Sequence, residues 1–215
     1  TLLFKQVNEL NIKTWTTGGN RWSENDNAYE DWITNAQGGF VEPYTVDATS
    51  FSVFKEVSDA KKNGKEFLLQ QLEGDLLKQT YEELSKFGDK KQFEKMLEAG
   101  GQFPLQQFDH FVFGSKVSLM FITYEPVPEA HDIFKRFGKV FEQTYTRFLD
   151  LQKAEAQAKE SQIEAALEKV RSRTLAMQKS DELAETEAVL FQQLIALSIE
   201  PNRLYIAIVK DDKCT

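Results

Sequence analysis

Up to residue 128, short apolar runs change between helical spacing of three and four residues and strand spacing of two. The predicted elements are, in chain order, a helix at 1–10, strands at 12–17, 28–34 and 40–46, a helix at 50–62, a strand at 66–72, helices at 74–87 and 90–98, and a β-hairpin at 106–124. Residues 18–27 are rich in Gly, Asn and Asp and predict a turn, and Ser50 is placed to cap the second helix. The order lacks a regular strand–helix–strand alternation, so it favours an α+β fold with an antiparallel sheet flanked by helices.

After residue 128 the pattern changes to that of a long helix. Residues 129–197 contain no proline and one glycine, and good helix formers dominate them. Two runs of heptad-spaced residues lie one residue out of phase: Phe137, Phe141, Thr144, Phe148 and Leu151, then Ile163, Leu167, Val170, Thr174 and Met177. The pattern predicts one long helix, either continuous or broken near Ser161. Heptad spacing is typical of helices that pair, which predicts a homodimer through Phe141, Phe148, Leu151, Ile163, Leu167, Val170 and Met177. Packing of residues 133–149 on the chain's own domain is the alternative.

The start of the chain is repeated near its end. At an offset of 187, five of thirteen positions are identical between residues 1–13 and 188–200, and each copy is followed by a strand-like run. We therefore predict a globular sensory unit at 1–128 with a truncated first helix, a connecting helix at 129–187, and the start of a second unit at 188–215. An apolar strand at 204–209 would be expected to pair with another chain or to be shielded by the connecting helix.

Composition excludes several functions. The chain has 215 residues, of which 41% are hydrophobic, and a net charge of −8, without the clustered Lys and Arg that nucleic-acid binding needs. It shows neither a membrane-spanning stretch nor a signal-peptide pattern, which predicts a cytoplasmic location. Its single cysteine, Cys214, allows no internal disulfide, as in a reducing compartment.

Catalytic and cofactor motifs are also missing from the sequence. It contains no phosphate-binding loop, dinucleotide fingerprint or nucleophile elbow, and its two histidines cannot form a His-rich metal site. We therefore expect no enzymatic activity in this chain and identify no cofactor, although an unknown small molecule could bind. Aromatic residues with polar groups can line a ligand pocket, and the candidates are Trp15, Trp22, Tyr44 and His110. The alternative is that these side chains belong to the core.

Two segments resemble a known class of signalling protein. Residues 128–185, beginning PEAHDIFKRF, resemble a helical linker of multidomain sensor histidine kinases of Bacteroidetes-type bacteria, and residues 53–84 together with FPLQQFDHFVF (103–113) resemble the body of a GAF-like sensory module. The resemblance implies a GAF/PAS-like sheet whose terminal helices continue between modules. It also implies a regulatory input domain with a histidine-kinase output in cis.

The resemblance leaves two functions open. One is a sensory module that relays ligand or partner binding through a dimeric connecting helix, and the other is a ligand-free spacer for dimerisation. Covalent attachment of a bilin is disfavoured because Cys214 lies outside the expected sheet. EAHDIFKRF also resembles a phosphoacceptor box around His131, but the usual downstream proline is missing, and an ordinary surface or capping histidine is the favoured interpretation.

Overall fold

A computed structural model describes residues 2–35, 38–88, 105–179 and 182–206. The elements, in chain order, are α1 (Leu2–Glu9), β1 (Thr14–Trp22), β2 (Ala28–Ile33), β3 (Tyr44–Asp47), α2 (Ser52–Lys62), β4 (Phe67–Glu73), α3 (Gly74–Leu84), β5 (Gln106–Phe113), β6 (Val117–Thr123), a 3₁₀ turn (Pro128–Ala130), α4 (His131–Ala176) and α5 (Leu183–Ala196). The α+β class predicted from the sequence is confirmed. The predicted helix at 90–98 lies outside the described residues.

The six strands form one antiparallel sheet in the order β3-β2-β1-β6-β5-β4. The first strand therefore lies at the centre of the sheet, where it pairs with the last strand. The predicted hairpin at 106–124 is present as β5 and β6. A β-bulge between Thr14 and Thr16 shifts the pairing of β1 with β6 by one residue.

The prediction of a turn from residue 18 was wrong, because β1 continues through Gly18 and Gly19 to Trp22. A Cβ atom on Gly18 would lie 2.4 Å from the Trp32 carbonyl oxygen on β2. Glycine at this position permits close approach of the neighbouring strand, and the turn begins only at residue 23. The third strand is also shorter than predicted, since the chain pairs regularly only from Tyr44.

One face of the sheet, called here the cavity face, is covered by α2 and α3. Apolar residues of both helices pack with those of all six strands in one cluster, whose helical members are Val53, Phe54, Val57, Ala60, Leu77 and Tyr81. The N-cap of α2 is Phe51 rather than the predicted Ser50, whose hydroxyl instead donates to the Asp47 carbonyl oxygen. The side chain of Ser50 therefore stabilises the preceding turn.

The opposite face, called here the terminal-helix face, is covered by α1 and the start of α4. Its cluster is Val7, Ile12, Val112, Leu119, Phe121, Ala130 and Phe134. The Phe121 and Phe134 rings are stacked with their centroids 4.2 Å apart. Gly138 permits close contact of α4 with the sheet, because a Cβ there would lie 2.4 Å from Val112 Cγ1. The alternative that residues 133–149 pack on their own domain thus applies to residues 133–142, because Ile133 packs on this cluster and Glu142 accepts hydrogen bonds from Ser115.

The chain divides into two compact units, Thr1–Arg147 and Phe148–Thr215, and α4 crosses the boundary. This helix has 46 residues and continues through Ser161, so the break considered there is absent; it ends at Ala176 instead. Within the second unit α5 returns beside α4, with the Thr186 hydroxyl 3.0 Å from Met177 Sδ and an ion pair between Arg173 and Glu185. No helix in the described ranges has both the length and the apolar character needed to span a bilayer.

Candidate functional site

A cavity of about 40 Å³ lies between the cavity face and helices α2 and α3, within the first unit. Strand alternation places polar residues of several strands toward it, where a core would normally have apolar side chains. Its lining contains two carboxylates, three phenols and two glutamine amides: Asp31, Asp109, Tyr29, Tyr44, Tyr81, Gln70 and Gln107. Such a concave site with a few convergent polar groups is the best candidate for ligand binding in the described part of the chain.

Asp31, on β2, is 4% exposed and is held by neighbours on both sides. Its two carboxylate oxygens accept hydrogen bonds of 2.9 Å from Asn20 Nδ2 on β1 and from the Tyr44 hydroxyl on β3. These residues are adjacent in the sheet register, so three neighbouring strands position the carboxylate. Asp31 is consequently fixed at the wall of the cavity.

Asp109, on β5, is 6% exposed and lies near the other end of the lining. Its Oδ1 accepts a hydrogen bond of 2.9 Å from Gln107, and the Tyr81 hydroxyl of α3 donates to Gln107 Oε1 at 2.8 Å. In the register, Gln70 lies directly opposite Asp109 on β4. On the other side, Ile122 of β6 pairs with both Asp109 and Thr16. Thr16, Ile122, Asp109 and Gln70 therefore form one row across four strands.

Burial changes the protonation of this site. Desolvation raises the pKa of Asp31 from 3.8 to about 7, although the hydrogen bond from Tyr44 partly opposes the change. The pKa of Asp109 also rises to about 7, first because of desolvation and further because of the charge on Asp31. Desolvation, together with the nearby carboxylates, raises the pKa of the Tyr29, Tyr44 and Tyr81 hydroxyls as well, so these remain neutral. Both carboxylates therefore titrate near neutral pH.

Two acceptors that line the cavity are buried without a hydrogen-bond partner among the described residues. They are Gln70 Oε1 and Thr16 Oγ1. The amide nitrogen of Gln70 is already used, since it donates to the Val53 carbonyl oxygen and to Glu56 on α2. Buried polar atoms are normally paired in native proteins, so unpaired ones indicate a missing water or ligand.

The four pocket residues predicted from the sequence do not all meet here. Tyr44 lines the cavity, whereas Trp15 and Trp22 lie in the apolar cluster beside it. The Trp22 indole donates to Ser118 Oγ at 2.7 Å and packs on Tyr29. His110 lies on the terminal-helix face, on the other side of the sheet. The structure thus brings Tyr44 together with carboxylates, and a role in ligand binding for the four residues stays a prediction.

His110 is fully buried against the start of α4. Its Nε2 lies 2.8 Å from Thr123 Oγ1, and its ring centroid is 5.1 Å from that of Phe134 and 5.2 Å from that of His131. Its Nδ1 has no partner among the described residues. Desolvation, with a contribution from His131, lowers the pKa of His110 to about 3, so it is neutral. His131 is the first residue of α4, and its Nε2 contacts the Pro126 carbonyl oxygen at 3.1 Å.

Sequence reasoning missed Asp31, Asp109 and Gln70. The signal was present, because each occupies a position that strand alternation directs inward: Asp31 lies between Tyr29 and Ile33 at a spacing of two. The hairpin was correctly predicted, and Asp109 alternates in it with His110, but Asp109 was not considered as a site residue. Identifying a buried carboxylate requires knowing that both faces of the sheet are covered.

The predicted pairing residues differ in exposure along α4. Phe141, Phe148, Leu151 and Leu167 are exposed by 40 to 54%. Ile163, Val170 and Met177 are half-buried, and Met177 lies just beyond the end of α4 beside Thr186. The described residues 204–206 of the predicted strand at 204–209 have no regular secondary structure, and the rest lies outside the description.

Helices α1 and α5 end in the same way, at positions 187 residues apart. In α1, Asn11 N bonds Asn8 O, Ile12 N bonds Val7 O, and Asn11 has a φ of 60°. In α5, Ser198 N bonds Ile195 O, Ile199 N bonds Leu194 O, and Ser198 has a φ of 61°. Both ends form the Schellman motif, in which a residue in the left-handed conformation closes the helix. The sequence repeat is therefore accompanied by a repeated local structure.

Comparison with protein-family models, with curated proteins and with solved structures found no match for this chain. Within the described residues, no group of three or more His, Cys, Asp or Glu side chains could hold a metal ion. The functional argument therefore depends on the geometry of the cavity and of the helices around it.

Proposed function

We propose that this chain is a GAF-like sensory or regulatory input module of a bacterial signalling protein. In support, the antiparallel sheet is flanked by helices on both faces, as the sequence resemblance implies, and the helices at its two ends share one face. The cavity with its buried carboxylates lies on the other face. In this arrangement only the thickness of one sheet lies between the site suited to a ligand and the helix suited to transmitting a signal.

The observation that favours a relay most is the alternation of residues along β5. Asp109 and Phe111 line the cavity, whereas their neighbours His110 and Val112 pack against α4 through Phe134 and beside Gly138. A displacement of β5 by a ligand at Asp109 therefore acts directly on the residues that support α4. A ligand changes this equilibrium only if it binds the two arrangements with different affinities.

The output of the relay is proposed from the exposed part of α4 and from the resemblance. Phe141, Phe148 and Leu151 form an exposed apolar stripe that suits pairing with the same helix of a second chain. The resemblance suggests a histidine kinase in cis as the output and a cytoplasmic location. The matching ends of α1 and α5 support a further proposal, that α5 precedes a second unit as α1 precedes the first.

The pairing can be tested by measuring the oligomeric state of the chain by sedimentation from 1 to 500 μM. We expect a dimer that Phe148→Glu dissociates, because the substitution places a charge in an apolar interface. Thr146→Glu is the matched control, since Thr146 is exposed on the same helix but away from the stripe. A wild-type chain that stays monomeric at 500 μM would refute pairing through α4.

The relay can be tested without knowing the ligand. Asp109→Asn removes the buried charge, and we expect it to change the dimer dissociation constant at pH 8 by about fivefold or more, the lower end of typical coupling between sites. Asp59→Asn, which removes an exposed carboxylate of α2, should leave the constant unchanged. Equal constants for Asp109→Asn and wild type would show that the cavity and α4 are not coupled.

A ligand-free spacer for dimerisation is the second candidate, and the size of the cavity favours it. At about 40 Å³ the cavity is far smaller than the pockets that hold drug-sized molecules. In that case α4 would pair, but Asp109→Asn would not alter the dimer. The two candidates thus differ in the result of the coupling experiment.

A further inference from the structure

The hydrogen-bonding groups around the cavity are unbalanced. Several donors of the lining have partners already: the Tyr44 and Tyr81 hydroxyls donate to Asp31 and Gln107, and the Gln70 amide nitrogen donates to Val53 and Glu56. Gln70 Oε1 is a buried acceptor without a partner among the described residues, and the Thr16 hydroxyl, which can donate as well as accept, has none there either. A molecule that satisfied Gln70 Oε1 would therefore have to supply an N–H or O–H donor.

The charged groups described around the cavity are both carboxylates. Asp31 and Asp109 form no ion pair with a Lys, Arg or His of the described chain, and the lining includes no basic residue. Buried carboxylates are stable as ions only when they are paired. With a pKa of about 7, both are largely ionised at pH 8, so the cavity then has two negative charges without a basic partner among the described residues.

The position and size of the cavity narrow the choice of ligand. Gln70 lies directly opposite Asp109 in its cross-strand row, so one small group above Asp109 can reach both, whereas Thr16 lies two strands away, beyond Ile122. The aromatic rings of Tyr29, Tyr81 and Phe111 also line the cavity, and such rings attract cations. A buried water needs about 10–15 Å³ of this kind of volume, so 40 Å³ accommodates a group of two or three heavy atoms.

We propose that this cavity binds a small primary ammonium ion, with Asp109 as its main counter-charge and with Gln70 Oε1 accepting one of its N–H groups. Asp31 adds negative potential from the second end of the cavity. A primary ammonium group offers three donors and one positive charge, which suit a buried acceptor beside two carboxylates. This inference rests on the proposed sensory function and specifies the class of ligand.

The test uses the whole chain and methylammonium chloride as the probe. Thermal unfolding at pH 8 is followed from 0 to 50 mM probe, and the heat of binding is measured by isothermal titration. We expect the melting temperature to rise with concentration and then to saturate. Asp109→Asn should weaken binding at least tenfold, and Gln70→Met should weaken it less, whereas Asp59→Asn should leave it unchanged.

Equal concentrations of potassium chloride and of methanol are the controls for ionic strength and for a neutral molecule of the same size. An equal rise in melting temperature with either compound would overturn the proposal, as would no rise with methylammonium or an unchanged affinity in Asp109→Asn. The dimer measurements above need no ligand. A chain that pairs through α4 and responds to Asp109→Asn, but does not bind methylammonium, would lose only the present inference.

Discussion

The two faces of the sheet differ in how they accommodate buried polar groups. On the cavity face, two carboxylates and two polar atoms without a partner among the described residues line the cavity. On the terminal-helix face, stacked Phe121 and Phe134 fill the space between the sheet and α4, and His110 stays neutral beside them. The first face retains charge at the expense of stability, and the second gains stability from close packing. This difference suggests that ligand binding belongs to the first face and rigid transmission to the second.

Removing the packing of the terminal-helix face should have the largest effect. Phe134 is fully buried, and Phe134→Ala should lower the free energy of unfolding by about 3–5 kcal/mol, because it removes the stacked ring and leaves a cavity. Chemical denaturation measures the change. Val140→Ala, at an exposed site on the same helix, should change stability by less than about 0.5 kcal/mol. Similar losses in the two variants would contradict the tight packing of this face.

Removing charge from the cavity face should stabilise the protein. The folded pKa of Asp109, about 7, lies above its ordinary value of 3.8, so the folded state binds more protons between these values and stability falls as pH rises from about 4 to 7. Asp109→Asn should therefore be more stable than wild type at pH 8 by about 2 kcal/mol. The full difference between the two pKa values sets an upper limit of about 4 kcal/mol. Near pH 4 we expect no difference in stability. Asp31, Tyr29 and Tyr81 also face this region, and Asp31 should retain part of the pH dependence.

Denaturation of Asp109→Asn and wild type at several pH values tests this expectation, with Asp59→Asn as the control. A variant that is less stable than wild type at pH 8 would show that the carboxylate is compensated in the folded protein. The same result would weaken the proposal of an ammonium ligand.

The smallest expected effect concerns His110, whose titration changes the stability in the opposite direction to that of Asp109. Its folded pKa of about 3 lies below the ordinary 6.5, so the unfolded state binds more protons between these values and stability is lost as pH falls through them. His110→Phe should retain about 1 kcal/mol more of its pH 7 stability at pH 5 than wild type does. Unchanged acid sensitivity in denaturation curves would show that other groups determine it. In wild type the carboxylates and His110 have opposite effects on the pH dependence of stability between about pH 4 and 6.5. Each variant should therefore show the pH dependence that the remaining group causes.

Local patterns predicted most of the elements but not the cavity. The hairpin at 106–124 and helix α2 follow from spacing and turn residues, which act over a few positions. The continuation of β1 through Gly18 depends on the carbonyl of Trp32 in a neighbouring strand, which no local pattern reveals. The end of α4 at Ala176 was missed because no glycine or proline marks it. Asp31 and Asp109 were missed for a related reason, since their burial depends on helices from elsewhere in the chain.

The glycine in α4 has a mechanical consequence. At Gly138 the helix lies nearer to Val112 than any side chain would allow, whereas its neighbours Phe137 and Lys139 have long side chains. Sliding α4 by one residue, or turning it about its axis, would bring one of these side chains toward Val112. Translation and rotation of the helix are therefore sterically opposed at this point. We expect any movement of the sheet at Val112 to be passed to α4 without a change of register at Gly138.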